Sequence, residues 1–499
     1  MMSNPRNSVR LYLFGLLLVG FGLDSCYREQ FYTGTDAQLR FSLDTLRFDT
    51  VFTTVGSATR YFKVFNDYPD AIKINSIKLS KGVSSFFRLN ADGYPAIGKE
   101  LQNIEIGPHD SIYIFLEVTV QPNQPLAVSP FVIEESIEFV INGNSQSMRL
   151  EAWGQNANYI PSRNSAGGIA ILSCGLQEET WDDPKPYVIY GVLIIDSCNL
   201  RLPAGARVYI HGGLVRTPNS VYNDGIIYVL DRGKLLVEGT KDKPVIFTTD
   251  RLESELKEEW GAWSGIRFGS GSVGNRINYA EIKSAFVGIW ADSASEVSVR
   301  NSRIFNSASS GILGIHARVV AENCLFHSNG GHGIQFAFGG NYKVEYCTIA
   351  SYGNDAEALS MNNAILRNPE TRLVEIYPLF ATINNCILSG SGQDELDLAD
   401  LSNPKDPFKF QTSFNHCYIK SEELLKADQY PKFFEQCPGC IRAKSTDTLF
   451  LNVDKLDFRL DTNSVVNGKA KSLDNIPFDI LGIKRETIAP DMGCYELKP

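Results

Sequence analysis

The sequence predicts an all-β chain, an N-terminal β-sandwich followed by a β-solenoid. Three observations predict it. Apolar and polar residues alternate in short runs between residues 40 and 155. A block of residues then recurs between about 245 and 420, at steps of 22, 22 and 23 and then, across longer connections, 39 and 31. Glycine is frequent, 41 of 499 residues, and β-branched and aromatic residues are spread evenly. That mixture favours many short strands joined by turns.

Hydrophobic residues make up 43% of the chain and charged residues 21%, the composition of a folded protein with a sizeable core. The length allows two or three domains. The formal charge is −10 and no Lys/Arg cluster is present. A nucleic-acid binder needs a basic face to meet phosphates, so nucleic acid is excluded as a partner.

Arg6 and Arg10 precede an apolar run over residues 11–23. A bilayer-spanning helix needs about 20 apolar residues, so this shorter run reads as the h-region of a signal peptide over residues 1–25. The run ends in Leu23-Asp24-Ser25-Cys26, which resembles a bacterial lipobox. The resemblance implies a diacylglyceryl thioether on Cys26, a membrane partner, and an outer-membrane lipoprotein exposed at the cell surface. Each buried CH₂ contributes about 0.8 kcal/mol, so several acyl chains hold where one holds marginally. Cleavage by an ordinary signal peptidase would instead leave Cys26 a plain thiol. Residues 26–39 read as a tether.

Between residues 40 and 155, Phe62 and Val64 alternate, then Ile72, Ile74, Ile77 and Leu79. Ile112, Ile114, Leu116, Val118 and Val120 mark one face of a strand. Ile137, Phe139 and Ile141 lead into Asn142-Gly143, a two-residue hairpin signal. About seven strands in about 115 residues is the size of an immunoglobulin-like sandwich. The stretch from Phe48 to Phe52, then Gly56 to Thr59 and Phe62 to Asn66, resembles the immunoglobulin-like modules found ahead of bacterial surface domains. Such modules act as spacers. Residues 156–168, rich in Asn, Ser, Gly and Pro, read as a linker.

Residues 169–445 read as the solenoid, with a repeat that is specific over about 245–420. Its first column holds Ile277, Val299, Ala321, Val344, Ile383 and Phe414. The second holds Tyr279, Asn301, Asn323, Tyr346, Asn385 and His416. The third is small (Ala280, Ser302, Cys324, Cys347, Cys386, Cys417), and the fourth is apolar again (Ile282, Ile304, Phe326, Ile349, Leu388, Ile419). A second marker, Gly265-Ile266, Gly288-Ile289, Gly311-Ile312 and Gly333-Ile334, steps by 23, 23 and 22. A fixed period built from short β-type runs marks a solenoid. Columns one and four are both apolar although five residues apart, so a bend must lie between them. The second column supplies it, because Asn tolerates the left-handed backbone of a tight bend. Stacked Asn side chains there can also bond from coil to coil.

Three short strands per coil with Asn at one bend resembles the right-handed parallel β-helix of the pectate-lyase-like superfamily. The repeats over about 245–420 carry the resemblance, which extends over about 190–450. Phe450 to Leu460, Phe478 to Gly482 and Asp491 to Glu496 resemble the C-terminal tail of bacterial surface β-helix proteins. Residues 446–499 are therefore expected to cap the open end, where unpaired strand edges invite aggregation.

No catalytic motif stands out. The Cys column reads as buried thiols, and Cys437-Pro438-Gly439-Cys440 as a local disulfide or a simple loop. Asp394, Glu395, Asp397 and Asp400 cluster in one connection. β-Helix polysaccharide lyases use carboxylate-bound Ca²⁺, so calcium is implied only if the chain is such an enzyme; otherwise the cluster is a solvated acidic loop. Outward positions beside the Gly-Ile marker include Trp290, Leu313 and Gln335, and Trp290 with Gln335 is the expected glycan contact, with His316 as a further candidate. The sequence thus points to a non-enzymatic surface protein binding a polysaccharide or a surface protein, with an extracellular lyase or hydrolase as the alternative.

Overall fold

The structure, a computed structural model, describes residues 30–497 except 53–56, 58, 120–130, 161–168, 218–219, 224, 253–255, 369–372, 403–404 and 427–428. The signal peptide, Cys26 and Val120 lie outside the described residues. The chain divides into two compact units, Met1–Gln155 and Asn156–Pro499.

In the first unit two five-stranded sheets enclose one core. One orders Arg40–Phe41, Arg60–Phe65, Ser111–Val118, Phe87–Ala91 and Tyr94–Pro95. The other orders Thr45–Phe52, Asn144–Gln155, Phe131–Ile141, Ile72–Leu79 and Glu100–Ile106. The described pairings are antiparallel except that of Thr45–Phe52 with Asn144–Gln155. The described alternating residues point inward, and Phe48 meets Phe87 across the sandwich at 5.6 Å between ring centroids. Asn142 and Gly143 both take positive φ, 47° and 86°, as a type I′ hairpin turn requires. One expectation fails: residues 30–39 are no free tether. Tyr32 stacks on Tyr68 at 4.1 Å, and Ala37 and Leu39 are buried in the core.

The second unit is a parallel β-helix of three long sheets. Sheet I has eleven described strands, from Asn158–Ile160 to Ile441–Arg442. Sheet II has nine, Ile169–Leu172 to Leu396–Ala399, and sheet III nine, Glu178–Thr180 to Phe410–Asn415. The coil passes I, II, III and back to I, and neighbouring strands pair in parallel. The first strand, Asn158–Ile160, falls inside the expected linker: its alternation is too short to read among the polar residues around it, yet it pairs with Tyr187–Tyr190.

The bend between sheets III and I is one residue deep. Tyr279, Asn301, Asn323, Tyr346, Asn385 and His416 all take φ between 48° and 59°. One left-handed residue reverses the side-chain alternation, so columns one and four both enter the core. The Asn ladder forms only in part. Asn323 Nδ2 donates to Asn301 Oδ1 at 2.7 Å, but Asn301 Nδ2 turns to Asn278 Oδ1 at 2.8 Å. Asn385 bonds instead to the backbone of Lys471, at 2.8 and 2.9 Å. Replacing Asn301 with Ala is expected to cost about 2 kcal/mol, from left-handed strain plus the lost bonds. Asn301→Gly, which relieves the strain, should cost clearly less. Urea unfolding of both variants measures this, and equal losses would mean that the bend carries no strain.

Column three also behaves as expected in part. Cys324, Cys347, Cys386 and Cys417 are free and buried, and their thiols donate to nearby carbonyls such as Glu322 O at 3.2 Å. Cys437 and Cys440 form a local disulfide. A second bridge, Cys174–Cys198, joins neighbouring coils across 24 residues. It was not foreseen, because these two cysteines lie upstream of the legible repeat.

The C-terminal tail does not cap the end. Leu449, Phe450, Phe458, Val466, Ile480 and Met492 pack along the outer face of sheet I, on Leu325, Ala350, Ile387 and Tyr418. The expectation fails because those outward positions of sheet I are themselves apolar and need cover. The open end is closed by the segment just before the tail, where Leu424, Phe433 and Cys437 join the solenoid core and Phe433 meets Phe414 edge-on at 5.2 Å.

Candidate functional site

Sheet II makes the outward face that carries the sequence's candidates. At the corner from sheet I, Gly265 takes φ 119° and a Cβ there would fall 1.8 Å from Val287 O. Gly288, Gly311 and Gly333 do not share that φ, but a Cβ on them would fall 2.5, 2.6 and 2.2 Å from a neighbouring atom, so close approach at every coil explains the marker. The isoleucine after it points into the core, and the next residue points out. Strand register then stacks Tyr228, Arg267, Trp290, Leu313, Gln335, Ser360 and Asp397 in one column. At about 4.8 Å per strand the column is roughly 29 Å long.

Its upper part is a cation between two rings. The Arg267 guanidinium lies 5.4 Å from the Tyr228 ring centre and 4.5 Å from that of Trp290. Asp292 takes its charge through two bonds, at 2.8 and 3.1 Å. The Trp290 indole Nε1 is buried and finds no acceptor among the described residues. The lower part is polar: Ser310 Oγ lies 3.4 Å from Gln335 Oε1, and Ser360 Oγ donates to Asp397 Oδ2 at 3.0 Å. Such a column can stack a flat apolar ring face at one end and bond hydroxyls at the other.

Trp290 and Gln335 therefore share the face, with Leu313 between them. His316 does not join them. It sits on the turn to sheet III, with Nδ1 3.1 Å from Phe338 O and its ring 5.0 Å from Tyr377.

The acidic loop is neither solvated nor convergent. Asp394 accepts from Ser421 Oγ at 2.8 Å and from the backbone N–H groups of Glu422 and Glu423 at 2.7 and 2.9 Å. Glu395 is wholly buried, and its carboxylate takes the N–H groups of Gly392 and Ala358 at 2.9 and 3.1 Å. Burial pushes its pKa up to about 7. At Asp400 burial opposes ionisation, but hydrogen bonds from Ser402 and Asn363 prevail and hold the carboxyl below its ordinary range. Only Asp397 faces out with the column. The loop was misread because a run of carboxylates looks solvated until its backbone partners are known. Among the described residues no three His, Cys, Asp or Glu side chains gather as a metal site.

Sequence reasoning missed Tyr228, Arg267 and Ser360. A signal existed for Arg267, which stands two residues after Gly265, the same offset that picked out Trp290 and Gln335. Tyr228 carries no such signal, because Gly225-Ile226 is one residue out of that register and points to the buried Ile227. It also missed a cluster at the outer edge of sheet I. There His211 Nδ1 lies 2.7 Å from Asp250 Oδ2, and its ring lies 4.9 Å from that of Tyr190. The Tyr190 hydroxyl is buried without a partner among the described residues.

A match to a family model agrees with this architecture. Residues 259–405 match the family model for the right handed beta helix region. The chain is similar to XylC in its complex with xylose, at 9% identity over 90% of this chain and 87% of that one, with a TM-score of 0.35. It is also similar to pectate lyase Pel9A, at 11% identity over 69% and 87%, with a TM-score of 0.31. A third likeness is the catalytic unit of the GH87 α-1,3-glucanase from Streptomyces thermodiastaticus strain HF3-3. It shows 12% identity and a TM-score of 0.30 over 72% of this chain, and the chain spans 66% of that unit's length. No curated protein matches the chain significantly. The family match and the long parallel sheets make the body of this chain a right-handed β-helix.

Proposed function

We propose that the chain is an exported envelope lipoprotein, anchored through Cys26 in the outer membrane and exposed at the surface, whose β-helix binds glycan without cleaving it. The observation that carries this reading is the sheet II column, with the Tyr228–Arg267–Trp290 stack at one end and Gln335, Ser360 and Asp397 at the other. A linear glycan offers repeated ring faces and hydroxyls, which suits a face repeating at about 4.8 Å. The two disulfides support export, since disulfides persist in oxidising compartments. The N-terminal sandwich serves as an immunoglobulin-like spacer. A surface protein is the other ligand that this face could take, but the hydrogen-bonding lower column favours glycan.

The test uses the chain without residues 1–26 and a panel of neutral and acidic polysaccharides, with and without calcium. Calorimetry and indole fluorescence report binding; unsaturated-uronate absorbance and new reducing ends report cleavage. Binding without product is expected. Trp290→Ala should weaken it about tenfold, the equivalent of about 1.4 kcal/mol of lost stacking. Unchanged affinity would remove the column from the site.

A hydrolase is the second reading, supported by the His211–Asp250 pair. A buried carboxylate that orients an imidazole is the arrangement of a general base. Cleavage of any polysaccharide, lost in His211→Ala, would replace the binding-only reading.

A further inference from the structure

A cleft of about 470 Å³ opens where the tail crosses sheet I, on a different face from the sheet II column. Glu281 and Arg303 on the outer face of sheet I form one side, Lys241 enters from the preceding loop, and Lys455, Asp457 and Arg459 come from the tail. Two of the four cations are satisfied within the cleft. Arg303 Nη1 lies 3.1 Å from Glu281 Oε1, and Arg459 Nε lies 2.8 Å from Asp457 Oδ1. Lys241 and Lys455 have no carboxylate at ion-pair distance among the described residues. The cleft thus holds two positive charges in excess on a chain whose net charge is −10.

Asn301 also lines the cleft, its amide bonded to Asn278 and Asn323, and the rest of the wall is apolar or aromatic, including Tyr279, Leu456, Leu481 and Tyr495. Leu456 is held left-handed, at φ 56° and ψ 30°, at the end of a short turn that the Asn452 side chain closes by accepting from Lys455 N at 3.0 Å. A leucine pays for that conformation only where its neighbours impose it, and such residues concentrate at ligand sites. The turn fixes the backbone of Lys455 beside the opening. Concavity, a few polar groups and apolar walls are the features of a small-molecule site.

We propose that this cleft binds a monomeric acidic sugar, with the anionic group on Lys241 and Lys455 and the ring against Tyr279 and Leu456. This site is independent of the sheet II column and stands whether or not that column binds glycan. A sugar phosphate and a uronate share the required chemistry, and the assay separates them.

The test is calorimetry and ligand-detected magnetic resonance on the full chain in detergent. The probes are glucose 1-phosphate, glucuronate, glucose and inorganic phosphate. At least one acidic sugar should bind, more weakly as salt rises, and glucose should not. The double variant K241Q/K455Q, altered only at exposed side chains, should lose at least tenfold in affinity while its unfolding midpoint stays put. Trp290→Ala should leave acidic-sugar binding intact, which keeps failure here distinct from failure at sheet II. Binding of neither acidic sugar, or equal binding to the wild type and the double variant, would overturn the proposal. So would glucose binding as tightly as its phosphate. Inorganic phosphate binding as tightly as the sugar phosphate would overturn the role of the sugar ring.

Discussion

Replacing Arg485 with methionine is expected to destabilise the β-helix unit by roughly 3–5 kcal/mol, the cost of leaving a buried charge without its partner. Arg485 and Glu496 are 3% and 2% exposed and lie 3.2 Å apart. The guanidinium also donates to Asn323 Oδ1 at 2.8 Å and to Gly493 O at 3.0 Å, and it lies 3.9 Å from the centre of the Tyr346 ring. One side chain thus joins two segments of the tail to two bend residues of the solenoid. Methionine keeps much of the volume but strands Glu496, Asn323 and a carbonyl away from water, and each lost bond has its own desolvation penalty. Release of the tail would bare Leu325, Ile387 and Tyr418, so aggregation on heating should accompany the loss. Urea unfolding and limited proteolysis within residues 446–497 measure it. Arg485→Met combined with Glu496→Gln should be less damaging than Arg485→Met alone, since no charge is then stranded. Simple additivity of the two changes, or a tail as resistant to protease as before, would show that this pair does not fasten it.

That clasp was invisible in the sequence, and the reason is general for this chain. Periodicity reveals whatever repeats. The four columns gave the coil, the left-handed bend and the buried thiols, because each coil presents the same position to the same environment. The Gly-Ile marker likewise placed Trp290 and Gln335 on one face. What does not repeat stayed hidden. Arg485 and Asn323 are 162 residues apart and meet only because the tail folds back along sheet I. The pairing of His211 with Asp250 joins two coils before the repeat becomes regular. The carboxylates of the 394–400 connection looked alike as letters, yet their roles depend on which backbone N–H groups face them. Asp394 and Asp400 stabilise turns, Glu395 is buried, and Asp397 alone reaches the outer column.

Glu395 should make the stability of this unit fall as pH rises. Its carboxyl sits against the backbone, where a Cβ on Gly390 would lie 2.3 Å from Oε1. Burial raises its pKa from 4.5 to about 7 against the lowering pull of the Gly392 and Ala358 N–H groups and of Lys420. Below about pH 4.5 the group is protonated in both the folded and the unfolded chain and costs nothing. Between about 4.5 and 7 the unfolded chain gives up the proton while the folded chain keeps it. The unfolded state then binds fewer protons, and stability falls with pH until it levels off above about 7. At 1.36 kcal/mol per pKa unit the total is about 3 kcal/mol. Glu395→Gln carries no titrating group, so its unfolding free energy should gain on that of the wild type by about that amount between pH 4 and 8. Taking the difference cancels the other titrating groups common to both chains, and parallel pH profiles would disprove the assignment. The same carboxyl also borders the candidate site. Glu395 ties the residue before strand Leu359–Asn362 to the start of strand Leu396–Ala399, and these two strands present Ser360 and Asp397. Ionisation strengthens the Ala358 and Gly392 bonds to that carboxyl, so the loss of stability should not carry over to the column, and glycan affinity should stay level across the same pH interval in the wild type.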